Sequence, residues 1–106
     1  KAMELVVEIY RLTEKFPREE IYGLVSQMRR CAVSIPSNIA EGRRRGSRND
    51  FSRFLSISYG SGAELETQIE ISIRLGYCQK EELVKSENLL TEIMKMLNTI
   101  IKNLRN

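Results

Sequence analysis

Apolar residues recur at intervals of three and four along almost the whole chain, the spacing that places them on one face of an α-helix. Four segments carry such a stripe. Helix-ending or turn-forming residues separate them, at Pro17, at the glycines around residues 42–46 and at Gly76. The pattern therefore predicts four helices, at roughly 1–16, 18–44, 47–75 and 79–105.

Short connections between long helices favour antiparallel neighbours, so we expect an all-α fold, an antiparallel up-down-up-down four-helix bundle with short turns. The 106 residues suffice for a single domain spanning 1–106, and two prolines with six glycines are too few for a many-stranded sandwich or barrel. The first helix is about half as long as the others. One end of the bundle, around Pro36 to Phe54, is therefore expected to lack a fourth helix beside it, unless residues upstream of Lys1 extend the first helix.

Three residues mark specific features of the backbone. Pro36 lies inside the second stripe and removes a backbone donor, so the second helix is expected to kink there without breaking. Ser47, with Asp50 three residues later, has the spacing of a capping box and predicts the start of the third helix. Gly76 predicts the end of that helix through a left-handed cap closed by Tyr77.

Composition excludes much of enzyme chemistry. The chain has no histidine, which removes serine-type and cysteine-type triads, histidine-bearing zinc sites and the Glu-x-x-His di-iron bundle. Glu66 and Glu70 share a helical face, but no second carboxylate pair supports a metal or acid–base site. We therefore expect no catalytic residues, no cofactor and no metal.

Two features indicate the cellular environment. Cys31 and Cys78 form no Cys-x-x-Cys pair and are interpreted as reduced thiols that pack inside a cytoplasmic protein. No run of about 18 apolar residues exists, so no membrane span is predicted.

Positive charge is concentrated in the middle of the chain. The formal net charge is +3, but residues 29–53 alone hold seven arginines against two acids. Guanidinium groups pair bidentately with phosphates and stay charged, so these arginines are candidate nucleic-acid contacts. The alternative is a solvated loop whose arginines serve solubility or the helix ends. The candidate phosphate-binding residues are Arg43, Arg44, Arg45, Arg48 and Arg53.

Several other residues are expected to be structural. In an antiparallel hairpin, Arg30 comes close to Glu64, which predicts an ion pair linking the second and third helices. Gly60 and Gly62 lie inside the third helix, where glycine is unfavourable. They predict the close approach of another backbone, within the bundle or between subunits.

The first and fourth helices carry more apolar residues than one core stripe needs. A broad core-facing arc explains part of this excess, and self-association is predicted to explain the remainder. The residues of this predicted oligomer interface are Met3, Val7, Tyr10, Leu89, Ile93, Met96 and Ile100.

Several segments in order along the chain resemble one known family. The run SIPSNIAEG at residues 34–42, with residues 21–24, 27–32, 60–61, 64–66 and 75–77, strongly resembles the four-helix-bundle family of 23S rRNA intervening-sequence proteins. The resemblance implies a small bacterial bundle that assembles into a ring, with a pentamer favoured. A distant branch is similar to the accessory proteins of diversity-generating retroelements, which bind nucleic acid and a reverse transcriptase.

The leading hypothesis is a non-enzymatic homo-oligomer that binds RNA, DNA or a ribonucleoprotein through the basic turn between the second and third helices. A nucleic-acid-processing protein is a further expected partner. The alternative is a protein–protein interaction scaffold without direct nucleic-acid contact, whose partner meets the Pro36 region or the apolar stripes.

Overall fold

The computed structural model describes all 106 residues, and it contains four α-helices connected by short turns. The helices are α1 (Ala2–Thr13), α2 (Leu24–Arg45), α3 (Arg48–Arg74) and α4 (Val84–Arg105), with 3₁₀ turns at Arg18–Glu20 and Lys80–Leu83. Each helix packs against the next, and α1 also packs against α4. The molecule measures 43 × 24 × 19 Å. The predicted all-α four-helix bundle is confirmed.

Three helix boundaries differ from the predicted ones. Helix α1 ends at Thr13 because Pro17 disfavours helical geometry just before it, and Phe16 turns into the core instead. Helix α2 begins at Leu24 and not at residue 18, since Gly23 leaves helical geometry with φ −115° and ψ −110°. The Leu24 N–H, one of the unpaired donors of the new helix, donates to Glu20 Oε1 at 3.1 Å. Helix α4 likewise follows a 3₁₀ turn.

Both ends of α3 form as predicted. The Asp50 N–H donates to Ser47 Oγ at 3.0 Å, which caps the first turn. At the other end Gly76 has φ +78°, and the Tyr77 N–H donates to the Ser72 carbonyl at 3.0 Å. This left-handed cap supplies donors to carbonyls that the helix leaves unpaired.

Helix α2 continues through Pro36 without interruption, as expected, while the kink itself stays a prediction. Side chains add donors around this residue. Asn38 Nδ2 donates to the Ser34 carbonyl at 2.8 Å, and the buried Ser58 hydroxyl of α3 donates to the Ile35 carbonyl at 2.9 Å. These contacts join α2 and α3 next to the site where proline removes a backbone donor.

Two predicted packing glycines have different surroundings. Gly62 is buried, and a Cβ there would collide with Met94 Sδ of α4. Helix α4 therefore packs closely on this residue, but through side chains and not through the backbone that was predicted. Gly60 is exposed, and a Cβ there would meet nothing within 4 Å. Close approach within the bundle is therefore wrong for Gly60, because this residue faces outwards on α3. An approach between subunits stays a prediction.

Candidate nucleic-acid interface

The basic segment lies where α2 gives way to α3. Gly46, with φ +78°, and Ser47 form the connection, so Arg43, Arg44 and Arg45 occupy the last turn of α2 and not a loop. Cations in a last helical turn interact favourably with the negative end of the helix dipole. The three side chains therefore have a structural role in addition to the one predicted for them.

Two of the five candidate arginines have carboxylate partners and lie against an aromatic ring. Arg45 pairs with Glu41 at 2.9 Å, and Arg53 pairs with Asp50 at 3.4 Å. Their guanidinium carbons lie 5.2 and 4.7 Å from the centroid of the Phe54 ring, within the range of cation–π attraction. Their charge is therefore partly neutralised.

Arg48 is held by another helix. Its Nε donates to the Leu104 carbonyl and its second guanidinium nitrogen donates to the Asn103 carbonyl, both at 2.9 Å. These are carbonyls of the last turn of α4, which have no donor within their own helix. Arg48 was predicted either to contact phosphate or to serve a helix end, and the structure favours the helix-end role.

Arg43 and Arg44 are exposed and make no ion pair or hydrogen bond within the chain. The contact of Arg48 with the last turn of α4 brings Lys102 and Arg105 to the same end of the bundle. Sequence reasoning assigned those two cations to the helix dipole alone, and no local signal links them to residues about fifty positions earlier. We call this region the basic end, with seven cations and two carboxylates: Arg43, Arg44, Arg45, Arg48, Arg53, Lys102, Arg105, Glu41 and Asp50.

The ion pair predicted between Arg30 and Glu64 is absent, and both residues are exposed. Glu64 Oε2 instead lies 3.7 Å from Cys31 Sγ, whose thiol donates to it, and burial raises the pKa of that thiol. The neighbouring Arg29, and not Arg30, makes a side-chain contact between helices. Its Nε donates to Thr13 Oγ1 at 2.9 Å, linking α2 to α1.

The predicted oligomer interface divides into three groups. Ile93 is only 3% exposed and belongs to the core, so its assignment to an interface is wrong, and Leu89 is half-buried against that core. Met96 and Ile100, one and two turns beyond Ile93, are exposed. Helix α1 lies along the first half of the α4 stripe, where Glu8 pairs with Lys85 and Lys1 pairs with Glu92.

On α1, Met3, Val7 and Tyr10 are exposed as expected, at 70%, 54% and 41%. Tyr10 also borders a surface cleft of about 450 Å³ whose lining includes Tyr22, which is 96% exposed, and Val33. The apolar surface of α1 therefore continues onto α2 and not onto α4. Sequence reasoning missed Tyr22, whose exposure follows from its place in the turn before α2.

The basic end has a groove whose lining includes Lys1 and Ala2 at the start of α1. It has a volume of about 360 Å³ and lies between α2 and α4, with α3 beneath it. This terminal groove is lined mainly by Ile39, Phe51, Leu55, Ile93, Met96 and Ile100.

Other kinds of site have no support in the structure. No group of three or more cysteine, aspartate or glutamate side chains is placed to hold a metal ion. None of the helices is both long and apolar enough to cross a membrane.

Comparison with known proteins agrees with the fold and with the resemblance. Residues 1–99 match the family described as 23S rRNA-intervening sequence protein. A similar solved structure, a protein with unknown function from the S23 ribosomal protein family of Bacteroides thetaiotaomicron VPI-5482, superposes with a TM-score of 0.84. It is 32% identical, over 95% of this chain and 94% of that chain. No curated protein matches the chain. On this evidence the chain belongs to the 23S rRNA-intervening sequence protein family.

Proposed function

We propose that this protein is a non-enzymatic helical bundle that binds nucleic acid, alone or in a ribonucleoprotein, through its basic end. The observation that carries the proposal is the presence of Arg43 and Arg44 without partners in the chain, beside the cations of α4. Unpaired guanidinium groups suit a polyanion because they form charge-assisted hydrogen bonds with phosphate oxygens. The two free, buried cysteines support a place in the reducing bacterial cytoplasm.

The contact is expected to follow the phosphate backbone and not the base sequence. Phe51 and Phe54 are the aromatic residues nearest the cluster, but Phe54 already lies under two guanidinium groups and Phe51 lines the terminal groove. The Phe54 ring is therefore already covered, and Phe51 alone gives no series of rings on which successive bases could stack. Binding should therefore depend strongly on salt and weakly on sequence.

The test is a salt titration of the wild type and of the double variant Arg43→Gln/Arg44→Gln against RNA and DNA strands of matched length. Each lost phosphate contact should reduce the slope of log K against log salt by about 0.7 for single strands or 0.9 for duplex DNA. Thermal stability should change little, since both side chains are exposed.

Arg18→Gln/Lys80→Gln is the matched control, because it removes two positive charges from exposed, unpaired side chains at the opposite end. The proposal fails if the wild type does not bind at low salt, or if both double variants change the slope equally. Equal slopes would show that net charge alone, and not the basic end, determines binding.

We further propose that the subunit forms a homo-oligomer, for which the family resemblance favours a pentamer. The surface best suited to it is the continuous apolar face of α1 and α2, containing Met3, Val7, Tyr10, Tyr22 and Val33. Exposed apolar patches of this kind are typical of protein interfaces. An oligomer would repeat the basic end several times, so later contacts with one strand would become intramolecular and the overall affinity would rise.

Light scattering after size-exclusion chromatography should report a mass several times 12.3 kDa. Val7→Asp should lower that mass without loss of helicity, whereas Val84→Asp, at a similarly exposed valine of α4, should not. A monomeric wild type at micromolar concentration would contradict the proposal.

The second candidate function is a protein–protein interaction scaffold. It is favoured by Tyr22, because a tyrosine ring that is almost fully exposed beside an unpaired Arg30 has the composition of an interface hot spot. Under this hypothesis a nucleic-acid-processing protein is the partner, and the salt titration should show no direct binding of RNA or DNA.

A further inference from the structure

The turn between α2 and α3 borders a second cleft at the basic end, which we call the connection cleft. It has a volume of about 310 Å³, and residues of α2, α3 and α4 line it. Its polar side chains are Arg43, Ser47 and Arg48, and its large apolar side chains are Phe51 and Leu104. No aspartate or glutamate belongs to the lining, so the cleft combines two cations with an apolar surface and suits a small anionic group.

The contacts of Arg48 with α4 fix its side chain without using all of its donors. A guanidinium group has five N–H donors, and two of these bond to the carbonyls of Asn103 and Leu104. The other N–H groups remain available to a ligand in the cleft. A side chain that is already held in place loses little conformational entropy when a ligand binds. The helix-end role of Arg48 is therefore compatible with contact to a phosphate.

Arg43 and Ser47 supply further unused donors. Arg43 is exposed and makes no ion pair or hydrogen bond within the chain. The Ser47 hydroxyl accepts the Asp50 N–H at 3.0 Å, which leaves its own proton free to donate. The cleft therefore holds donors on three side chains and no acidic side chain to accept from them.

This set of donors fits a phosphate at the end of a strand better than one inside it. A phosphate monoester has a charge of about −1.5 to −2 at pH 7 and three free acceptor oxygens. A phosphodiester within a strand has a single negative charge, and two of its oxygens are esterified. Two arginines and one hydroxyl can each bond to a different oxygen of a monoester. The apolar surface of Phe51 and Leu104 suits the sugar or base of the same nucleotide.

We propose that the connection cleft binds the phosphorylated end of a nucleic-acid strand, with the terminal phosphate on Arg43, Ser47 and Arg48 and the last nucleotide against Phe51. The inference rests on the proposed function, because it names the part of the nucleic acid that the basic end prefers. It also separates two neighbouring arginines. Arg43 contacts the terminal phosphate, whereas Arg44 does not line the cleft and contacts the phosphate backbone.

The probe is a short single-stranded RNA with fluorescein on an internal base, prepared with a 5′-phosphate, with a 3′-phosphate or with hydroxyl groups at both ends. In fluorescence anisotropy with the full chain, at least one phosphorylated strand should bind about fivefold or more tightly than the hydroxyl-ended strand. The two phosphorylated strands distinguish which end fits the cleft. A hydroxyl-ended strand that is about two nucleotides longer carries the same added charge and should not reproduce the gain.

Arg43→Gln should reduce the preference for the phosphorylated strand to less than about twofold, because it removes a cation of the cleft. Arg44→Gln is the matched control, since it removes the same charge from the next exposed residue. It should weaken binding of all strands by one factor and leave the preference unchanged. Arg48→Lys keeps the net charge and should still lower the preference, because an ammonium group lacks the planar fork of a guanidinium.

The inference fails alone if the wild type binds phosphorylated and hydroxyl-ended strands equally while its affinity still falls with salt. It also fails alone if Arg43→Gln and Arg44→Gln show the same preference, because the terminal phosphate would then have no contact specific to the cleft. In both cases the proposed function stands. Absence of binding by every strand at low salt would overturn this inference together with the proposed function.

Discussion

The two ends of the bundle differ in how completely their polar and apolar groups find partners. At the end formed by the connections before α2 and before α4, which we call the closed end, the rings of Phe16 and Tyr77 lie 5.4 Å apart. The Tyr77 hydroxyl donates to Glu20 Oε2 at 2.8 Å, and Glu82 pairs with Lys15 at 3.4 Å while it caps the Gln79 N–H. These side chains are occupied by contacts within the chain.

At the basic end, the same four helices leave groups without partners. The side chains of Arg43 and Arg44 make no ion pair, and Met96 and Ile100 are exposed. The basic end therefore combines unpaired guanidinium groups with exposed apolar side chains of α4.

The largest expected difference in stability is between a variant of Ile93, a buried residue of the α4 stripe, and one of Met96, an exposed residue of it. Ile93→Asp should lower the free energy of unfolding by roughly 3–5 kcal/mol, because it places an unpaired charge in the core. Met96→Asp, three residues later, should change it by only about 0.5 kcal/mol, as is usual at an exposed position. Urea denaturation monitored by circular dichroism measures both values. Equal losses of stability in the two variants would mean that Met96 also belongs to the core.

A second comparison concerns two glycines with different surroundings. A Cβ at Gly42, beside the basic end, would lie 2.9 Å from Phe54 Cβ, so Gly42→Ala should cost about 1–3 kcal/mol through overpacking. Gly60 faces open space, and Gly60→Ala should raise the free energy of unfolding by about 0.5–1 kcal/mol through helix propensity. If Gly60→Ala instead lowers the mass of the oligomer, Gly60 lies at a subunit contact.

The smallest effect is a change in the pH profile at the closed end. The hydrogen bond from Tyr77 holds the pKa of Glu20 below its ordinary value of 4.5. The lowered pKa adds stability above pH 4.5, and this stability is lost as the pH falls through the folded-state value. Donating to that carboxylate raises the pKa of Tyr77 above its ordinary value of 10.0, so this contribution to stability is present below pH 10.0 and is lost as the pH rises through the folded-state value.

Tyr77→Phe should therefore show a shallower loss of stability in acid than the wild type, in urea titrations over a pH series. Part of the acid dependence should remain, because the Leu24 N–H still donates to Glu20. Tyr10→Phe is the control, since the Tyr10 hydroxyl makes no hydrogen bond within the chain. Identical profiles for the wild type and Tyr77→Phe would show that the Glu20 contact does not influence folding.

Sequence reasoning worked best where local chemistry decides the structure. The number of helices, both ends of α3 and the continuity of α2 through Pro36 follow from signals a few residues long. The errors concern contacts over long distances. Arg30 and Glu64 occupy nearby levels of an antiparallel hairpin, yet both residues are exposed and do not pair. The positions of two residues in the sequence determine how far along the helix pair each one lies. They do not determine how each helix is rotated about its own axis.

The candidate site shows the same limit. The charge of the segment from Arg29 to Arg53 can be read directly from the sequence, and so can the shortness of the first helix. Which arginine side chains remain unpaired depends on the tertiary structure, because the partner of Arg48 lies on α4, more than fifty residues away in the sequence. The tertiary structure also decides which residues of the α4 stripe are buried, since apolar residues recur at regular spacing from Leu89 to Ile100. Ile93 is buried in the core, whereas Met96, three residues later, is exposed.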